Sequence, residues 1–276
     1  MTRSPGDRVA ADLAADASGA LQGGQVPDVV IEPDADRLAR AVAEALVARL
    51  AAAQAVHGTA SVVLTGGGIG IAVLERVAGL AAEPVRETVD WTAVEIWWGD
   101  ERFVPSGDAE RNEGQARAAL LDRVGVPPAR VHAMPAADSA ASPEEAAEEY
   151  LAELRAHAGD GADLPRFDVL LLGMGAEGHT ASIFPASPAV RDQRPVLAVR
   201  DCPKPPPTRV TLGYPAINSA EEVWVLVTGE AKAEAVAAAL EGADPADVPA
   251  AGVRGTRATR WLLDADAASR LPRARG

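Results

Sequence analysis

The chain is poor in three residue types that decide much of protein chemistry. It has one cysteine, Cys202, two lysines, Lys204 and Lys232, and four histidines, His57, His132, His157 and His179. A single cysteine excludes an intrachain disulfide and a cysteine-based zinc site, and it fits a reducing, cytoplasmic setting. No apolar run approaches the ~20 residues of a membrane-spanning helix. The first 25 residues lack the apolar stretch of a secretory signal. Rich in Gly, Ala and Asp, they are expected to be disordered, with 26–276 forming a single α/β domain. Positive charge is also short: 26 Lys+Arg against 40 Asp+Glu give a net charge of −14. That balance speaks against a nucleic-acid binder and against a polybasic membrane binder. Several motifs are missing as well. There is no G-x-S-x-G nucleophile elbow, no Gly-Lys-Ser/Thr phosphate loop and no pair of histidines at zinc spacing.

What remains is enough for a folded core: 276 residues, 48% apolar and 24% charged. Strand-like and helix-like patterns alternate. Val29–Ile31, Ser61–Leu64, Val94–Trp98, Phe167–Leu172, Val196–Arg200, Arg209–Leu212, Val223–Val227 and Trp261–Leu263 read as strands, with Val131–Met134 a further short candidate. Leu38, Val42, Leu46 and Leu50 recur every four residues on one helix face. Further helices are expected around Val73–Val77, over Asn112–Arg123, from the capping box Ser142-Pro143-Glu144-Glu145 to about His157, and over Gly229–Leu240. Near-continuous apolar strands between helices predict a parallel sheet covered on both faces. No change in composition divides the chain, so one α/β domain is expected, with room for a small insert.

Three strand ends hold candidate chemistry. Gly66-Gly67-Gly68 lies between a strand and a helix, where backbone N–H groups and the helix N-terminus suit an anion. The plainer alternative is a turn that merely needs glycine. Asp100-Glu101-Arg102 follows another strand; two carboxylates beside an arginine can orient a base or bind an anion, or form a solvated turn. A literal G-x-G-x-x-G stands at Gly173, Gly175 and Gly178, but Pro185 and Pro188 interrupt the helix that a dinucleotide site needs. His179 closes that loop just past a strand end, where open α/β sheets bind ligands. Imidazole there suits general-base chemistry near neutral pH.

Five segments together resemble the 6-phosphogluconolactonase family, within the superfamily of glucosamine-6-phosphate deaminases and ribose-5-phosphate isomerases. They are Leu64–Gly68, Trp98–Pro105, Leu172–Pro185, Lys204–Leu212 and Thr228–Lys232, and the likeness spans roughly residues 28–264. It implies a Rossmann-like three-layer αβα sandwich with a mostly parallel central sheet. It implies hydrolysis of 6-phospho-D-glucono-1,5-lactone to 6-phosphogluconate, the second step of the oxidative pentose phosphate pathway, with no metal and no organic cofactor. The expected partner is the small sugar-phosphate lactone, with neither nucleic acid nor membrane, in a monomer or small homo-oligomer. Carried onto this sequence, the resemblance makes His179 the general base and Asp100 with Arg102 an acid–arginine pair. It makes Gly66, Gly67 and Gly68 the glycine loop, and Arg209 and Lys232 cations near the phosphate. One departure stands out: the family's loop commonly continues Ser-Thr-Pro, whereas here Ile69-Gly70 follows Gly68. The hydroxyl donor is missing, so phosphate binding leans on backbone N–H groups and arginine. Rival expectations are a sugar-phosphate deaminase or isomerase on the same fold, and a non-catalytic sugar-phosphate sensor.

Overall fold

The computed structural model describes residues 27–82 and 89–272; the N-terminal segment 1–25 lies outside them. Six strands form one sheet in the order β1-β9-β8-β5-β2-β3, and every neighbouring pair is parallel. They are β1 (Asp28–Glu32), β2 (Ala60–Leu64), β3 (Val94–Trp98), β5 (Val169–Gly173), β8 (Glu222–Val227) and β9 (Ala258–Asp264). All residues of β2 and β8 are buried. Successive strand residues point to opposite faces, so both faces of the sheet are covered.

Helix α1 (Ala35–His57) buries the Leu38, Val42, Leu46, Leu50 stripe. It starts on Asp34, whose carboxylate accepts from Arg37 N at 2.8 Å, and stops at Gly58 in the left-handed region. Helix α2 (Gly67–Ala81) begins directly after the Gly66 turn. Helix α3 opens as Asn112–Ala116, passes through a π-helical turn at Arg117–Leu121 and ends as Asp122–Val124. Helix α4 (Pro143–Ala156) uses the expected cap: Ser142 Oγ accepts from Glu145 N, and Glu145 returns a carboxylate to Ala141 N. Helix α5 (Tyr214–Ile217) is a single turn, and α6 (Ala233–Leu240) follows a 3-10 turn at Glu230–Lys232.

A second, antiparallel sheet has the order β4-β7-β6, with β4 (Asp100–Arg102), β6 (Val196–Val199) and β7 (Arg209–Leu212). This is the small β insert. Gly99 stitches the two sheets together. Its N–H donates to Leu64 O of β2, and its carbonyl accepts from Leu212 N of β7. The chain therefore runs off the carboxyl end of β3 straight into β4, which carries Asp100 and Arg102 over the rim of the parallel sheet. The short strand expected at Val131–Met134 is reduced to one bridge, Val131 to Ile96.

From β2 the chain moves to β3 on one side, and from β5 to β8 on the other. Neighbouring β2 and β5 thus form the topological switch point, where the loops leaving their carboxyl ends diverge and open a crevice.

Candidate functional site

The crevice at β2 and β5 is a cleft of about 230 Å³, and it collects Gly66, Gly67, Gly68, Asp100, Arg102, His179, Arg209 and Lys232. These eight residues come from five separate stretches of chain. The first turn of α2 lines the cleft with backbone N–H groups that no helical carbonyl can accept, and this turn carries no acidic side chain. Gly66 is needed for close approach: a Cβ there would lie 2.0 Å from Asn112 Oδ1.

Asn112 and Asp100 are tied together by Glu101. Its buried carboxylate accepts from Arg102 N at 2.7 Å, Asn112 N at 2.8 Å and Glu113 N at 2.9 Å, and so caps the start of α3. Asn112 in turn donates to the Asp100 carbonyl at 2.8 Å. Burial pushes the Glu101 carboxyl up from 4.5, against the pull of Arg111 and the three N–H groups.

The loop after β5 runs Met174 to Phe184 without a helix. The literal glycine pattern there serves a different end. Gly175 N–H closes the loop by donating to His179 O at 3.0 Å. A Cβ on Gly175 would stand 2.1 Å from His179 Nδ1 and 2.7 Å from Glu177 Oε2. The glycine clears space for those two side chains to meet. Glu177 Oε1 lies 3.0 Å from His179 Nδ1, Glu177 Oε2 takes Lys204 Nζ at 3.0 Å, and the imidazole stacks on Phe184 at 4.4 Å.

Asp100, a carboxylate expected to orient a base, is not the imidazole's hydrogen-bond partner; Glu177 is. Asp100 instead accepts from Ser182 Oγ at 2.7 Å and faces Arg209 at 3.8 Å. The expected pair of Asp100 with Arg102 is not made. Arg102 donates to the Glu110 carbonyl, and its Nε is buried without a partner. Asp100 and Arg102 stand two residues apart and so share a face of β4. Arg102 is in register with Arg209 and turns its guanidinium to the Glu110 carbonyl, while Asp100 meets Arg209 on the diagonal across β4 and β7. A carboxylate two residues before a histidine, flanked by glycines, was the available signal for Glu177. Asn112 gave no local signal.

Burial holds the His179 imidazole below the ordinary 6.5; Glu177 opposes this and Lys204 adds to it. Burial works on Glu177 in the opposite sense, but backbone and Lys204 hydrogen bonds and the nearby cations outweigh it and keep the carboxyl below 4.5. Lys232 is pulled below its usual value, first by burial and then by Lys204. Among the described residues it makes no salt bridge. Lys232 lines the cleft itself, and Lys204 reaches it only through Glu177, the partner of His179. Arg209 is more committed: it donates to Pro206 O at 2.6 Å and to Lys204 O and Pro205 O at 3.2 Å, holding the proline loop shut.

Fold and cleft define a class: a doubly wound α/β protein with a polar, cation-bearing cleft at the switch point of a parallel sheet. The chain belongs to the family described as glucosamine-6-phosphate isomerases/6-phosphogluconolactonase, whose model matches residues 33–261. It is 50% identical over 252 residues to the 6-phosphogluconolactonase of Streptomyces coelicolor, covering 90% of this chain and 95% of that one. It is 51% identical over 247 residues to that of Mycobacterium tuberculosis, covering 88% and 98%. The solved 6-phosphogluconolactonase structure from Trypanosoma brucei superposes with a TM-score of 0.76 at 28% identity, covering 89% of this chain and 99% of that chain.

Proposed function

We propose that this chain hydrolyses 6-phospho-D-glucono-1,5-lactone to 6-phospho-D-gluconate, with His179 activating the water. The single observation that carries the mechanism is the His179–Glu177 pair at the wall of a cationic cleft. Relatives named for this activity at about half identity support the substrate.

A lactone is a cyclic ester, so water attacks C1 and the bond from C1 to the ring oxygen breaks. Glu177 accepts a hydrogen bond from His179 Nδ1–H, which leaves the lone pair on Nε2 for a water proton. Burial keeps the ring neutral and ready to accept it. The imidazolium that forms is stabilised by the Glu177 carboxylate, and it returns the proton to the departing ring oxygen. Arg102, which lines the cleft, supplies the guanidinium donor for charge developing on the carbonyl oxygen. The α2 N-terminus and Lys232 suit the substrate phosphate, whose binding fixes C1 against the water. Asp100 holds Ser182 and Arg209 rather than the base, and so keeps the cleft wall in place.

Lys232→Ala raises KM by roughly 10–150-fold, the equivalent of a charge-assisted hydrogen bond, and leaves kcat within a few-fold. An unchanged KM removes Lys232 from phosphate binding. Arg209→Ala is a less clean probe, because it also frees the three carbonyls of the loop that carries Lys204. Lys204→Ala has a different signature. Lys204 helps hold the His179 value down, so its loss raises that value and moves the acid limb of kcat/KM to higher pH. A limb that stays in place, or moves to lower pH, breaks the link from Lys204 through Glu177 to His179.

The function itself is tested by following freshly generated lactone against its spontaneous hydrolysis, with glucosamine 6-phosphate offered in parallel. Accelerated lactone loss without ammonia release is expected. Ammonia release at a comparable kcat/KM favours the deaminase reading.

A further inference from the structure

Two histidines that the cleft does not use meet at the outer edge strand of the parallel sheet. His132 follows the bridge from Val131 to β3, and His157 ends α4. They are 25 positions apart in sequence, so no local spacing announced them. The rings meet edge to face with centroids 4.3 Å apart, and Glu153, one helical turn before His157, reaches both Nδ1 atoms. Its Oε1 is 2.7 Å from His132 Nδ1 and 3.6 Å from His157 Nδ1. The three donor atoms all fall within 4.8 Å of one another.

We propose that His132, Glu153 and His157 form a binding site for a divalent cation of the zinc class, separate from the cleft. The donor set is two imidazoles and a carboxylate, which suits zinc with a fourth, open position for water. A tetrahedral ion with Zn–N bonds of about 2.0–2.1 Å keeps its ligand atoms roughly 3.3 Å apart. The separations of 2.7 and 3.6 Å bracket that spacing, so small side-chain shifts admit the ion.

A second, independent feature points the same way. Metal-binding histidines usually donate their other ring N–H to a carboxylate, which fixes the tautomer and aims the lone pair. His132 Nε2 lies 2.9 Å from Glu95 Oε2, and Arg130 holds Glu95 from the other side. The ring is further fixed by stacking on Trp97, with centroids 3.8 Å apart and an interplanar angle of 11°. His132 is therefore buried and aimed with Nδ1 toward Glu153, while Glu153 and His157 keep an entry path from solvent. On binding, the proton shared between His132 Nδ1 and Glu153 leaves to solvent. His157 gives up its hydrogen bond to the Glu153 carbonyl, now 3.0 Å from its Nδ1, and the ring proton passes through solvent to Nε2, which frees the Nδ1 lone pair for the ion. The bound ion then clips the end of α4 to the sheet edge.

The test is calorimetric titration of Zn²⁺ into the tag-free, chelator-stripped full chain, with His157→Ala, Glu153→Gln and Glu95→Gln alongside. The wild type is expected to bind one equivalent saturably and to gain thermal stability with it. Glu95→Gln weakens binding by about 10–100-fold, and His157→Ala, which removes an exposed ligand without opening the core, weakens it at least as much. No saturable binding to the wild type, or the same isotherm in His157→Ala and Glu153→Gln, overturns the proposal.

Discussion

His179→Ala lowers kcat for lactone hydrolysis by roughly 10²–10⁴-fold, the usual worth of a positioned general base, while the protein stays folded. The ring is the one group at the cleft that combines a neutral form near pH 7 with a partner able to stabilise its charged form. Burial supplies the first property and Glu177 the second. Truncation leaves Glu177 still paired with Lys204 at 3.0 Å, so no buried carboxylate is stranded and the fold persists. Glu177→Gln sharpens the argument. A Gln amide can turn its NH₂ toward Nδ1, which favours the tautomer with the proton on Nε2 and removes the lone pair that water needs. A large fall in kcat with KM nearly unchanged is expected. Steady-state rates corrected for spontaneous hydrolysis check both variants, and parental kcat in either one removes that residue from the mechanism.

Glu101→Ala destabilises the protein by about 3–5 kcal/mol, the cost of breaking a buried charge pair from one side. The side chain is 1% exposed and accepts three backbone N–H groups. Its removal leaves those donors unsatisfied in the interior. It also leaves Arg111, itself 1% exposed, without the carboxylate 3.8 Å away. Arg111 keeps Glu113 and the Met134 carbonyl, which places the effect at the lower end of the range. At roughly 2–4 °C per kcal/mol for a chain of this size, Tm drops by about 10 °C. Glu101→Gln keeps one acceptor oxygen but sets an NH₂ against a backbone N–H, so its loss is smaller. Activity measured below the transition also falls, because this carboxylate holds the Arg102 and Asn112 backbone and Asn112 in turn holds the Asp100 carbonyl. A Tm within 2 °C of the parent for Glu101→Ala contradicts the reading of Glu101 as the post that holds β4 to α3.

The central sheet was legible because its strands are apolar on both faces and its helices keep a steady stripe. β5 is the clearest case, and Ser142 with Glu145 marked the start of α4. β4 was hidden for the opposite reason. Asp100-Glu101-Arg102 has no apolar signature, and it becomes a strand only because Gly99 delivers it beside β7. The π-helical turn in α3 likewise has no local code. Candidate site residues were readable where they sit at strand ends, as with Gly66–Gly68 and His179. Their partners were not, because Asp100 meets Arg209 through strand register and Gly66 meets Asn112 through tertiary approach. The acidic total also reads differently against the structure. A net charge of −14 is compatible with an anionic ligand when positive potential is local, and Arg102, Arg209, Lys232 and the α2 N-terminus all lie on one cleft.

The most direct measurement is the pH dependence of kcat/KM for lactone hydrolysis, taken on the wild type and on His179→Ala after subtraction of the spontaneous rate. Protonating the base abolishes it, so activity falls as pH drops through the His179 value, which burial sets below 6.5. The account predicts a wild-type acid limb centred below 6.5 that is missing from the residual activity of His179→Ala. A limb that survives unchanged in His179→Ala, or activity independent of pH across this range in the wild type, contradicts it.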